Sequence, residues 1–362
     1  MHIFKKLLTG LTVLLSCALP AILVAAETPA ESIHLGNTHV TPHIEVAMEP
    51  GRNIVFCSTF QITWNLMKND IIEEDIQLEK PLDLVRFLNH GLTTKEDISE
   101  EDYLAMAGYG ADDITNKINR ALRRKFGSDA PVVHSKYNKA DVIFAYAFLM
   151  KELLFEHAFE DFKDPITFYG HTNEAQVEAF GIFKCSGQRH RKLRDQVEII
   201  DYMNHHDFII RLKSKHPDDE IILANVEPGR TLLATFEKVN WRIAKCRRYA
   251  KPESIGENDI LQIPKFDLSI DHSYEPLLDL YLVNKGFEDY FVAEARQDIR
   301  FRLDECGATS KSEAIFALKK GPPVDFRALN FQQSVYAVSQ EKGWSIPLSC
   351  LVGGECRFDG WK

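Results

Sequence analysis

The sequence predicts an α+β fold built as one large domain, and three patterns carry that prediction. Residues 140–159, reading ADVIFAYAFLMKELLFEHAF, begin as a continuous apolar run of the kind a strand buried on both faces shows. Short strand-like segments follow at 166–169, 177–183, 208–212 and 221–226, punctuated by Asp218-Asp219 and Pro228-Gly229. Between Leu78 and Phe126, by contrast, the signals are helical. No Gly-, Ser- or Pro-rich linker and no internal repeat divides the 362 residues, 45% of them hydrophobic, so one core is expected rather than several.

The chain opens on an address label. Lys5 and Lys6 precede an apolar run over 7–24, and Val24 and Ala26 fit a small-residue cleavage rule before Glu27, so residues 1–26 read as a secretory signal peptide. Gly10, Ser16 and Pro20 argue against an uncleaved anchor. The apolar run continues past Cys17, which argues against lipoprotein processing there. A secreted or periplasmic protein with no stable membrane anchor is therefore expected, with 27–45 as a short extension and 46–362 as the folded domain. The net charge of −10 becomes more negative once the leader's two lysines are removed, which leaves nothing basic for nucleic acid to grip. Arg123-Arg124-Lys125 and the basic residues at 189–194 read as a solvated helix face and a loop. Of the seven cysteines, scattered through the chain, Cys350 and Cys356 are the one pair close enough to suggest a bridge.

Element by element, residues 53–67 read as a short apolar strand feeding a helix. Ile114, Ile118, Leu122 and Phe126 then repeat every four residues behind Asp112 and Asp113, which suit the start of a helix. ILQIPKFDL at 260–268 reads as a strand. Ser273 is a plausible N-cap for an apolar helix over 277–283 that stops at Gly286. Two last strands, 335–338 and 346–352, close the chain.

The segment 299–323, IRFRLDECGATSKSEAIFALKKGPP, is the most informative. Alternation at Ile299, Phe301 and Leu303 breaks at Asp304-Glu305 and resumes after Gly307 with small residues on one face, Ala308, Ser310, Ser312 and Ala314. Thr309, Lys311 and Glu313 occupy the other face. Small side chains can slide into a packed sheet without overfilling it, and Pro322-Pro323 cannot continue a ladder. A strand running into a long exposed loop that could itself become a strand is the expectation.

Acidic residue, Gly, small-residue run, Pro-Pro and then Phe326-Arg327-Ala328 resemble the reactive-centre loop of the serpins, here over about 305–323. The IPKF strand, the 140–159 run and the succession of short strands are similar to that family as well. The resemblance implies an α+β, serpin-like fold with a large mixed central β-sheet, two smaller antiparallel sheets and packed helices. It places Glu305, Gly307, Ala308, Thr309, Ser310, Ser312 and Ala314 at the hinge from which the loop inserts. By the family's spacing the bait bond is Lys319-Lys320, with Leu318 or Lys320 as alternative residues before the cut. Departures are visible: no tryptophan stands near Leu153 to Phe155, Leu329-Asn330 replaces an Asp-His, and the region after residue 67 is short.

What the resemblance implies is a protease inhibitor that is itself a substrate. A serine protease, trypsin-like if Lys319 precedes the cut, forms an acyl-enzyme and is trapped when the hinge inserts between two strands. The alternative is a non-inhibitory serpin-fold protein that binds a ligand or another protein. The expected partner is a target protease, the expected state a monomer, and no cofactor, metal or catalytic residue is implied. No G-x-S-x-G, H-E-x-x-H or phosphate-cradling glycine loop occurs. His205-His206-Asp207 reads as a solvated turn, since neighbours on a strand point to opposite faces. Cys185 with His190 lacks any accompanying oxyanion motif.

Overall fold

The computed structural model describes residues 38–169, 174–183, 187–249, 253–321, 338–341 and 349–350. The leader, Cys185, Pro322-Pro323, Phe326 to Asn330 and Cys356 lie outside them, so the expectations placed there are untouched by the structure. Thr38–Thr41 (β1) runs parallel to Asn53–Cys57 (β2), which is buried at every position. Thr59–Leu66 (α1) follows, continued by a π-type turn at Met67–Ile72, and then Asp83–His90 (α2), closed by Gly91 at φ 60°.

Tyr103–Tyr109 (β3) is a strand within the stretch predicted helical. Its residues pair with Val142–Leu154 (β4), and that ladder overrides the local preference. Ile114–Phe126 (α3) matches its prediction. Asp113 sits at its N-cap in a left-handed conformation (φ 58°) without a side-chain cap bond; its carboxylate accepts from Asn116 instead. The middle of the chain is a series of short pieces: Glu160–Asp161 (β5), Ile166–Tyr169 (β6), Glu174–Val177 (β7), Ala179–Ile182 (β8), Gln188–Asp195 (α4), Val197–Asn204 (β9), Asp207–Lys213 (β10) and Asp219–Asn225 (β11). The basic residues at 189–194 thus lie on a helix and not in a loop. Leu232–Tyr249 (α5) is absent from the predicted elements. Its signal is Leu232, Phe236, Val239 and Ile243 behind Thr231, whose Oγ1 accepts from the Ala234 N–H at 3.0 Å.

After Glu253–Ser254 (β12), the predicted 260–268 strand divides at Lys265 into Leu261–Pro264 (β13) and Phe266–Ser273 (β14), which belong to different sheets. Ser273 therefore ends a strand, and the helix predicted over 277–283 does not form. Asp279 takes a left-handed φ of 59°, and the Asp279 and Leu282 N–H groups donate to Val292 and Tyr290 carbonyls. A backbone already bonded to a neighbouring strand has no amides left for a helix. Tyr290–Asp304 (β15), Gly307–Lys320 (β16), Val338–Glu341 (β17) and Ser349–Cys350 (β18) complete the elements.

Four sheets result. The one that matters here has the order β14-β15-β16-β4-β3 and is antiparallel at every junction. The parallel pairing that makes a sheet mixed is that of β1 with β2, in an eight-stranded sheet of order β1-β2-β18-β17-β11-β10-β9-β12. A short turn between β15 and β16 permits no other sense, since parallel neighbours need a crossover. The segment predicted as an exposed loop is β16 itself, with β15 on one edge and β4 on the other. The loop expectation is corrected on this point: period-2 patterning with small residues suits an exposed, insertion-ready segment and a seated strand equally well.

β16 feeds two cores. On one face Ala314, Phe316 and Leu318 join Phe60, Trp64 and Met67 of the α1 region. On the other, Ile315 and Ala317 lie with Tyr146 and Phe148 beneath Ile118 and Leu122 of α3. Phe316 is fully buried with its ring 5.0 Å from Trp64 and 6.2 Å from Phe60. Phe316→Ala is expected to lower unfolding free energy by ~3–5 kcal/mol in urea titrations. A loss under about 1 kcal/mol would mean that Phe316 does not occupy this core.

Candidate functional site

The β15–β16 turn is anchored from three directions. Lys265, at the break between β13 and β14, bonds Glu305 at 2.6 Å and Asp161 at 2.9 Å. Burial works against its ammonium, but those carboxylates outweigh it and hold the pKa above that of an ordinary lysine. The Phe155 and Phe159 N–H groups donate to the carbonyls of Cys306 and Glu305, both at 2.9 Å, and Asp304 Oδ1 accepts from the Cys306 N–H at 2.8 Å. Gly307 is needed for close approach, because a Cβ there would stand 2.2 Å from the Leu153 carbonyl oxygen. The aromatic bulk beside this turn comes from Phe155, Phe159 and Phe180, where the resemblance leads one to look for a tryptophan.

Beyond the turn the two faces differ as their residue types demand. Ala308, Ser310, Ser312 and Ala314 are all buried. Thr309, Lys311 and Glu313 are partly buried. Ser312 Oγ donates to the Asp298 carbonyl at 3.0 Å and lies 2.8 Å from Thr59 Oγ1. Gln297 Nε2 donates to Thr59 Oγ1 at 2.7 Å and to the Cys57 carbonyl at 3.0 Å, and the Tyr274 hydroxyl donates to Gln297 Oε1 at 2.6 Å. Burial pushes the Tyr274 phenol well up, so it stays a donor. This network ties β16 to the start of α1, the end of β2 and the middle of β15, and a larger side chain at 312 would break it. Ser310 Oγ has no hydrogen-bond partner among the described residues.

Gln297 is the member that sequence reasoning missed. Its signal is a polar residue on the apolar face of β15, between Ala295 and Ile299. Lys265 was legible as part of IPKF but not as the anchor of Glu305.

At the far end Leu318 is fully buried, whereas Lys319 and Lys320 are exposed. Their backbone remains in the ladder, Lys319 opposite Phe291 and Lys320 opposite Tyr290. The Lys320 N–H donates to the Asp141 carbonyl at 2.8 Å, and Lys320 Nζ pairs with Asp289 at 2.9 Å. In this arrangement the strand's backbone donors and acceptors are committed to the sheet, and a protease cleft that binds an extended peptide by main-chain hydrogen bonds has none to take. Of the residues predicted as a hinge, the structure therefore places Glu305 in the β15–β16 turn and Gly307, Ala308, Thr309, Ser310, Ser312 and Ala314 on β16, with Lys319-Lys320 at that strand's opposite end.

The other nominated residues form no comparable site. Cys185 lies outside the described residues, and His190 Nε2 is 2.9 Å from Glu160 Oε1. His205 and His206 occupy the turn between β9 and β10, where His205 Nδ1 is 2.7 Å from the Tyr202 hydroxyl.

No protein-family model matches the chain, and no curated protein matches it in sequence. Solved structures do match. A cleaved serpin 42Da is 12% identical, with 86% of this chain and 94% of that chain covered and a TM-score of 0.49. In another crystal form of that serpin the shares are 69% and 66%, with a TM-score of 0.42. A loop C-sheet serpin polymer is 9% identical, covers 87% of this chain and 92% of that chain, and has a TM-score of 0.50. At such identities the likeness speaks for architecture alone. With its five-stranded antiparallel sheet, a hairpin-linked central strand and that correspondence over most of both chains, this chain has the serpin fold.

Proposed function

We propose that this chain is a secreted serpin-type protease inhibitor whose working element is the segment 305–323. The observation that supports it is β16: fourteen residues seated between β15 and β4, with small side chains on the inward hinge positions and two lysines at its end. Before insertion the same segment would lie outside the sheet and offer Lys319-Lys320 to a trypsin-like protease. The serine oxygen of the protease would bond the Lys319 carbonyl carbon, the Lys319–Lys320 peptide bond would break, and the Lys320 nitrogen would leave with a proton. Insertion of 307–319 beside β4 would then carry the ester-linked protease to the far end of the sheet before water could hydrolyse the acyl group.

One observation favours a second reading. The chain runs unbroken from Lys320 into Gly321 with the strand already seated. A protein that holds its segment in the sheet without being cut would be a non-inhibitory binding module of serpin fold.

Incubation of freshly refolded mature protein with a trypsin-like protease separates the two on a denaturing gel. The inhibitor reading expects an adduct stable to denaturant, with the cut mapped to Lys319 or Lys320; absence of both adduct and cut would overturn it. Ser312→Arg supplies the mechanistic control. Seating an arginine against Thr59 and Gln297 would bury a charge at a cost on the order of several kcal/mol. Cleavage is therefore expected to continue while the adduct disappears, and an undiminished adduct would show that this strand is not what traps the protease.

A further inference from the structure

On the α3 side of the five-stranded sheet, Asp271 of β14, Asp298 of β15 and Glu313 of β16 stand directly opposite one another across three adjacent strands. Like charges in direct cross-strand register oppose pairing. The cations nearest this row are Arg296, 3.5 Å from Asp298, 4.0 Å from Asp271 and 3.6 Å from Glu294, and Arg300, two residues along β15, which also pulls on Asp298. No salt bridge reaches Glu313 among the described residues.

The groups around Glu313 are few. β15 supplies Asp298, Arg296, Glu294 and, opposite Lys311, Arg300, and β14 adds Asp271 beyond them. On β4 its direct neighbour is Phe148, and the Tyr146 hydroxyl is buried with no hydrogen-bond partner among the described residues. The same strand carries Lys311 two residues away. Lys136 and Tyr137, ahead of β4, spend their donors on Glu294. Helix α3 turns Ile114, Ile118 and Leu122 toward this face and contributes no charge to its buried side.

We propose that β16 is seated by protons: with Asp298 and Glu313 protonated beside Asp271 the strand locks between β15 and β4, and with both ionised it loosens. The inference concerns the seating itself and holds whether or not a protease ever meets the segment. Burial, reinforced by Asp298, pushes the Glu313 carboxyl up to about 7, and Arg296 offsets only part of that. Burial likewise lifts Asp298 to about 6, with Arg296 pulling down and Asp271 pushing up. An acid with a raised pKa in the seated state binds its proton more tightly there than in the released strand, so seating is strongest in acid and is lost as pH rises through about 7. Between pH 6 and pH 8 the seating equilibrium should weaken about tenfold from Glu313 alone.

An opposite dependence lies elsewhere. His39, His43 and His272 are buried and held below the ordinary histidine range, His43 and His272 to about 4, first by burial and then by neighbouring charge. They weaken the whole fold as pH falls from 6.5 toward 4, not as it rises above 6.

Amide hydrogen exchange of the peptide 307–320 in the intact chain, at pH 6 and pH 8 and corrected for intrinsic exchange, reads the seating locally. Protection is expected to fall about tenfold between the two in the native sequence and by no more than about twofold in Glu313→Gln, which keeps the shape, removes that titration and leaves Asp298. Asp298→Asn is expected to shrink the fall, because it removes the charge that raises Glu313. Equal protection at both pH values in the native chain, or a tenfold fall that persists in Glu313→Gln, would overturn the proposal.

Discussion

An interior strand of an antiparallel sheet needs a partner on each edge and a core on each face, and the rest of this structure is arranged so that Gly307–Lys320 has all four. Its edges are taken by β4 in continuous register and by β15 with one bulge between Val292 and Glu294. Its faces are taken by the aromatic group around Trp64 and by the apolar underside of α3. Take the strand away and β15 and β4 would each present a long row of unpaired amides and carbonyls, while Phe316 and Ile315 would leave holes in both cores.

The two faces hold the strand differently. On the α1 face the contacts are neutral and short-range: Ser312, Thr59, Gln297 and Tyr274 satisfy one another in a closed network that leaves no room for a larger side chain. On the α3 face the lower half is apolar, but the level of Glu313 is crossed by a row of carboxylates with the guanidinium groups of Arg296 and Arg300 beside it. A strand fixed by hydrogen bonds on one side and opposed by charge on the other is well held yet responsive, because protons can alter the second term without disturbing the first.

Much of this was legible in the sequence. The alternation from Ile299 to Leu318, the small residues at 308 to 314, the glycine at 307 and the buried run at 142–154 all translate directly into strands. What the sequence could not carry is the location of the segment, since an amphipathic period-2 pattern is the same in a free loop and in a sheet. The deciding partner, β4, lies between 153 and 177 residues away along the chain at the paired positions. The same limit explains the two misread helical stretches. The apolar spacing at 277–283 fits either period, and a left-handed Asp279 with bonds to β15 settles it; YLAMAGY at 103–109 becomes a strand because β4 is beside it. Gln297 and the Asp271–Asp298–Glu313 row are visible only after three strands are put in register.

The β16–β4 seam is the contact that distinguishes a seated strand from an exposed loop, so a cross-link across it is the most direct measurement. Lys311 stands opposite Met150 on that seam, and directly opposed Cα atoms in such a pair are about 4.5–5.5 Å apart, within disulfide reach. In intact Met150→Cys/Lys311→Cys protein, mild oxidation should join the two positions in most molecules, as mapped by mass spectrometry of the uncut chain. Folded protein that keeps both thiols free under those conditions would contradict the account, because it would mean that 307–320 does not lie beside β4.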